Sequence, residues 1–152
     1  MIRQSPEKDS AMTDSDKFRL DQRLAATSIT ISHRAGIEVR LVNDSRYHWL
    51  MLVPCLADVV ELDDLPANVA ADLFRLAGDL GGWLKTYAAA DKINIAMIGN
   101  VVPQMHLHVV ARHRGDAYWP EPIWGRGAPQ PMPDETCAAR AAALTAWLET
   151  WN

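Results

Sequence analysis

One long amphipathic stretch, LDDLPANVAADLFRLAGDLGGWLKTYAAAD over residues 62–91, separates three β-like runs from two more, and this order restricts the fold more than any other feature of the chain. Apolar residues recur at Val69, Leu73, Leu76, Leu80, Trp83 or Leu84, and Tyr87, with Pro66 near the first turn, which predicts a helix with one buried stripe. Gly78, Gly81 and Gly82 weaken that helix by roughly 1 kcal/mol each relative to alanine. Either tertiary packing compensates or something lies very close to that face, and close helix-sheet packing is the plain reading.

Before the helix, TSITISHRAGIEVRLVND reads as a hairpin, with a run from Thr27 to His33, a turn at Arg34-Ala35-Gly36 and a second run over Ile37 to Asn43. YHWLMLVPCL is nearly continuous in apolar residues from Tyr47, as expected of a central strand that Pro54 ends or edges. After the helix, KINIAMIGNVV and QMHLHVVAR read as adjacent strands whose short join, through Gly99, Asn100 and Pro103, implies an antiparallel pair. Five prolines make residues 115–133 a long irregular segment that carries Trp119 and Trp124. The last element, PDETCAARAAALTAWLETWN, offers Asp134 as an N-cap and a stripe through Cys137, Ala141, Leu144, Leu148 and Trp151. Residues 1–16 hold no periodic apolar pattern and read as a disordered leader in which Met12 is an alternative start, so a single domain is expected over 17–152.

Bulk properties exclude several functions. A net charge of −4 and a pI near 5.7 advertise no surface for nucleic-acid backbones. No run reaches the roughly 18 apolar residues a membrane helix needs, and no signal peptide is visible, so a cytoplasmic protein is expected. Cys55 and Cys137 have neither the spacing of a disulfide framework nor that of a zinc finger. A small pocket for free nucleotides remains compatible with the acidic total.

The unusual chemistry lies in residues 104–111, QMHLHVVA, where alternation sets Gln104, His106, His108 and Val110 on one face and Met105, Leu107 and Val109 on the other. A single strand histidine is ordinarily a surface or satisfied residue, and His33, His48 and His113 fall under that reading. The pair at i and i+2 is different, because it converges two imidazoles about 7 Å apart on one face. One reading is a zinc or iron site, for which the third and fourth ligands are not visible. The other is covalent phosphoryl chemistry. An ordinary imidazole is largely unprotonated at neutral pH and can attack phosphorus, while a neighbouring one donates to the phosphate oxygens.

At this point the sequence resembles the histidine-triad (HIT) superfamily of nucleotide hydrolases and transferases. The signature His-φ-His-φ-His-φ-φ, with φ apolar, corresponds to Gln104-Met105-His106-Leu107-His108-Val109-Val110: all four apolar positions and two of three histidines match. IGNVVPQ sits where the family has its phosphate loop, LVND is similar to the nucleoside-contacting end of an early strand, and WLMLVP resembles the strand that follows. The resemblance covers about Phe18 to Arg114. It implies an α+β fold, with an antiparallel sheet of about five strands, one long helix and a C-terminal helix. It also implies His106 as the nucleophile, His108 as the donor to phosphate, Asn43 or Asp44 at the ribose, and Asn94, Gly99, Asn100 and the Val101 backbone around the α-phosphate.

Two departures accompany the match. Gln104 stands in place of the first histidine, and its amide can still support the others by hydrogen bonding. Val101 replaces the serine or threonine of many members and leaves only a backbone N–H. The resemblance further implies a homodimer acting on a dinucleoside polyphosphate or adenosine phosphoramidate, with no required cofactor and a divalent cation arriving at most with the substrate. A non-catalytic nucleotide-binding protein and an HxH metalloenzyme are the alternatives. Trp119 and Trp124 read as packing anchors or as contacts to a base or a partner subunit. Arg112, Arg114 and Arg126 read as solvated residues or as a phosphate-attracting rim.

Overall fold

The computed structural model describes residues 17–152, so the expectation of a disordered segment over 1–16 lies outside the described residues. A short helix α1 (Gln22–Thr27) leads into strands β1 (Ser28–Arg34), β2 (Ile37–Val42) and β3 (His48–Pro54). Then come helix α2 (Ala67–Tyr87), strands β4 (Lys92–Met97) and β5 (Leu107–Arg112), and helix α3 (Asp134–Thr150). All five strands join one antiparallel sheet in the order β1-β2-β3-β5-β4. This is the α+β arrangement expected.

The β1–β2 turn follows from its residues: Ala35 and Gly36 have φ of 50° and 72°, the left-handed pair that matches the twist of a two-residue hairpin. A bulge between Thr30 and Ser32 adds one residue to β1, so His33 rather than Ser32 faces the same side as Glu38 and Arg40. Pro54 does end β3, where it pairs with Ile37.

One face of the sheet is the core. Ile37, Val39 and Leu41 of β2, Leu50 and Leu52 of β3, and Leu107 and Val109 of β5 pack beneath Leu73, Leu76, Leu80 and Leu84 of α2 and Leu144 and Leu148 of α3. Each of these side chains is removed from water, a contribution of about 1.5–3 kcal/mol apiece. The three glycines of α2 separate in this packing. A Cβ on Gly81 would stand 3.3 Å from Ile93 Cγ2, so this position sets how closely the helix meets β4, while Gly78 and Gly82 have nothing within 4 Å.

Several element ends differ from the sequence expectation. Tyr87 leaves the buried stripe and stacks on Trp83 at 4.9 Å. Asp134 lies within the first turn of α3, and Pro133, extended at ψ 144°, is the N-cap instead. The expected strand over 104–112 starts at Leu107, because β4 ends at Met97, the partner of Leu107, and the chain then turns through Gly99 at φ 58°. Helix α1 was not expected; Asp21 caps it by accepting from the Arg23 N–H. Residues 113–133 are irregular, as their prolines suggest.

Candidate active site

The other face of the sheet carries polar side chains into the interior. His108 pairs with Met51 of β3 on one side and Ala96 of β4 on the other, and His106 stands one residue before β5. The two imidazoles are only 7% and 8% exposed. Their ring centroids lie 4.9 Å apart with planes at 87°, closer than strand spacing alone suggests.

Hydrogen bonds assign a different tautomer to each ring. His106 Nδ1 lies 2.7 Å from the backbone carbonyl of Gln104. A carbonyl only accepts, so Nδ1 carries the proton and the Nε2 lone pair is free. His108 Nδ1 instead receives the indole N–H of Trp49 at 2.9 Å. An indole only donates, so the His108 proton sits on Nε2. Burial, reinforced by the neighbouring His106, pulls His108 down to about 3, which keeps it neutral at physiological pH. A nucleophilic nitrogen therefore stands beside a neutral N–H donor.

Two depressions meet at His108. One, about 370 Å³, is lined by Gly99, Asn100, Val101, His106, His108 and Trp124. The other, about 340 Å³ and more apolar, is bounded by Leu24, Asn43, Trp49, Met51, His108 and Trp124, among others. Trp124 forms a wall common to both, with its ring 5.7 Å from His108, and its buried indole N–H has no hydrogen-bond partner. Val101 is 79% exposed at the rim. A third cavity of about 410 Å³, which includes Glu61, Met97, Gly99, Asn100 and Pro103, opens on the other side of His106.

The sequence-derived candidates divide between these surroundings. Gly99, Asn100 and Val101 join the histidines at the first depression, and Asn43 and Asp44 line the second. Asn43 Oδ1 accepts from the Met132 N–H at 2.8 Å, and Asp44 is gripped by the Arg46 guanidinium at 2.6 Å. Burial alone would raise the Asp44 carboxyl, but the Arg46 hydrogen bonds outweigh it and hold it below the usual range. Asn94 stands apart. It shares the sheet face of His108 but accepts from Arg112 at 3.1 Å and borders none of the three cavities described.

Gln104 directs its amide away from the histidines. Its Nε2 donates to the Arg19 carbonyl at 2.9 Å and its Oε1 accepts the Asp21 N–H at 2.8 Å, which ties the segment before α1 to the loop before β5. Arg23 adds a bond to the Val101 carbonyl at 2.9 Å. Support for His106 comes from the Gln104 backbone instead.

Arg112 is neither solvated nor on a rim. At 1% exposure it bonds Asp116, Asn94 and the Glu121 carbonyl, and it lies over the rings of Tyr47 and Trp119. It anchors the irregular segment, and Trp119 is one of its packing partners. Trp49 is the functional side chain that the sequence reading missed, since an indole in an apolar run carries no sign of a histidine across the ladder.

Comparison with known proteins identifies the family. The family model of the HIT domain matches residues 23–115. The chain belongs to the HIT family. A histidine triad protein from Sinorhizobium meliloti is 42% identical, with 83% of this chain and 96% of that one covered at a TM-score of 0.78. HIT relatives from Bradyrhizobium japonicum and Marinobacter aquaeolei are 36% and 35% identical, cover 85% and 89% of this chain and 96% and 98% of their own, and reach TM-scores of 0.82 and 0.85. Among curated proteins nothing matches. Among the described residues no helix is long and apolar enough to cross a membrane.

Proposed function

We propose that this HIT protein hydrolyses or transfers a nucleotidyl group from a nucleoside phosphoanhydride or phosphoramidate, of the dinucleoside polyphosphate or adenosine phosphoramidate type, through a covalent His106 intermediate. The observation that carries the reading is the pair of opposite tautomers: a free Nε2 on His106 beside an N–H on His108. In the first step His106 Nε2 attacks the α-phosphorus, a P–N bond forms, and the P–O or P–N bond to the leaving group breaks, with the leaving group taking up a proton. His108 donates from Nε2 to a non-bridging oxygen as charge builds. Water then attacks phosphorus, the P–N bond to His106 breaks, and nucleoside monophosphate departs.

The apolar depression by Trp49, Met51 and Trp124 suits a flat base, with Asn43 and Asp44 toward the ribose. The backbone of Gly99, Asn100 and Val101 surrounds the phosphate, and no cofactor is needed beyond a divalent cation carried by a polyphosphate. A cytoplasmic homodimer belongs to this reading.

A single-turnover incubation with substrate labelled at the α-phosphate tests it. Acid-labile label on the wild-type protein, and none on His106→Ala, is expected. A second reading, nucleotide binding without turnover, draws on the engagement of the Gln104 amide with Arg19 and Asp21. Tight binding of nucleotide with no label on the protein would favour it.

A further inference from the structure

Outside the histidine pair, one group of side chains brings three different ligand types together among the described residues. The ligating atoms of His33, Glu38 and Cys55 all lie within 4.8 Å of one another. They come from three segments. His33 is opposite Glu38 across the β1–β2 ladder, and Cys55 follows Pro54 at the end of β3 with its N–H on the Gly36 carbonyl at 2.8 Å. Without the bulge in β1, Ser32 and not His33 would face Glu38's side of the sheet. Cys55 continues the parity of Val53, the partner of Glu38, and so shares that face.

We propose that His33, Glu38 and Cys55 form a binding site for a divalent transition metal of the zinc class, a clip across the hairpin and the end of β3. Ligand bonds of about 2.0–2.3 Å in a tetrahedron separate neighbouring donor atoms by roughly 3.3–3.7 Å. His33 Nε2 and Glu38 Oε2 already lie 3.8 Å apart. Closing the remaining distance falls to the His33 side chain, which is 61% exposed and free to swing.

The Glu38 carboxylate is oriented as a ligand requires. Its Oε1 accepts from Thr30 Oγ1 at 2.6 Å and from Arg40, and its Oε2 faces His33. Such outer hydrogen bonds fix a carboxylate for a metal. One sulfur, one imidazole nitrogen and one carboxylate oxygen favour zinc or cobalt over the all-oxygen shells of calcium and magnesium. A water molecule would complete the fourth position. Binding converts the Cys55 thiol to a metal thiolate and releases one proton to the buffer, with no change in oxidation state.

The test is a cobalt(II) titration of reduced full-length protein, followed by absorption. Wild type is expected to take up one equivalent with a thiolate-to-cobalt charge-transfer band in the near ultraviolet and visible bands of tetrahedral strength. Both are retained when His106 and His108 are replaced by alanine, lost in Cys55→Ser, and weakened about tenfold or more in affinity in His33→Ala, whose exposed side chain is not needed for folding. Zinc should raise the melting temperature of wild type, by less in His33→Ala at the same concentration, and not that of Cys55→Ser. No charge-transfer band in wild type, a band that survives Cys55→Ser, or one that requires Cys137 or the 106/108 pair would overturn the site.

Discussion

Strand β5 is buried on both faces of the sheet, and yet the two faces are held by different forces. On the helix side, Leu107 and Val109 belong to a broad apolar cluster in which every neighbour is replaceable in kind. On the opposite side, His106 and His108, on the same stretch of chain, are held by individual hydrogen bonds to the Gln104 carbonyl and the Trp49 indole. Apolar burial is distributed and tolerant, whereas a buried polar group depends on one partner at one distance. Stability should therefore follow the first face and turnover the second.

Substitutions can break or sharpen that contrast. The largest effect is expected for His106→Ala, with turnover down by about a thousandfold or more and the melting temperature nearly unchanged. A stable variant that kept its rate would remove the nucleophile assignment. The mirror case is Leu107→Ala, which empties a fully buried site on the other face. It should cost about 2–5 kcal/mol in urea unfolding while single-turnover rates below the transition stay close to wild type.

Acid should act through one histidine on each face, His108 on the polar side and His48 on the helix side. Burial lowers His108 from 6.5 to about 3, and burial with the nearby Arg140 and His113 lowers His48 to about 4. Below pH 6.5 the unfolded chain takes up these protons before the folded one, so stability is full above pH 6.5 and falls as the pH drops toward those values. For His108 the slope approaches about 1.4 kcal/mol per pH unit, and the more solvent-screened His48 adds less. Unfolding midpoints measured at pH 7 and pH 5 check this, and a flat profile would contradict the buried, neutral His108.

Trp49→Phe keeps an aromatic ring, though a smaller one, and deletes the N–H that sets the His108 tautomer. About a tenfold loss in kcat is expected, with a changed pH-rate profile and little change in folding. An unaltered profile would make Trp49 merely a wall of the pocket. The smallest effect is expected from Gln104→Ala, a few-fold slower enzyme, because the carbonyl that serves His106 survives the substitution. A loss equal to that of His106→Ala would assign the amide a direct part in the chemistry.

Much of this was readable in the chain. The leucines at 73, 76, 80 and 84 mark the buried stripe of α2 because helical periodicity is local, and the Ala35-Gly36 turn is marked by the residues it requires. Less readable were the ends. Pro133 displaced Asp134 as a cap, and β5 began only where β4 offered a partner. The side-chain contacts of Asn94, Gln104 and Arg112 were not readable either, since each is satisfied by residues on other elements or in loops.

By itself, the sequence determined the order of the five strands and two long helices, and the placing of two imidazoles two residues apart on one side of an extended stretch, for that parity needs no knowledge of neighbours. Only the tertiary structure decided which nitrogen of each ring carries a proton, because Trp49 lies 59 positions from His108 and meets it through strand pairing. The same holds for His33, Glu38 and Cys55, gathered by a bulge and a register that no local pattern encodes. Hydrogen bonds and ligand sets are short-ranged, and the distances that create them are set by how distant segments pack.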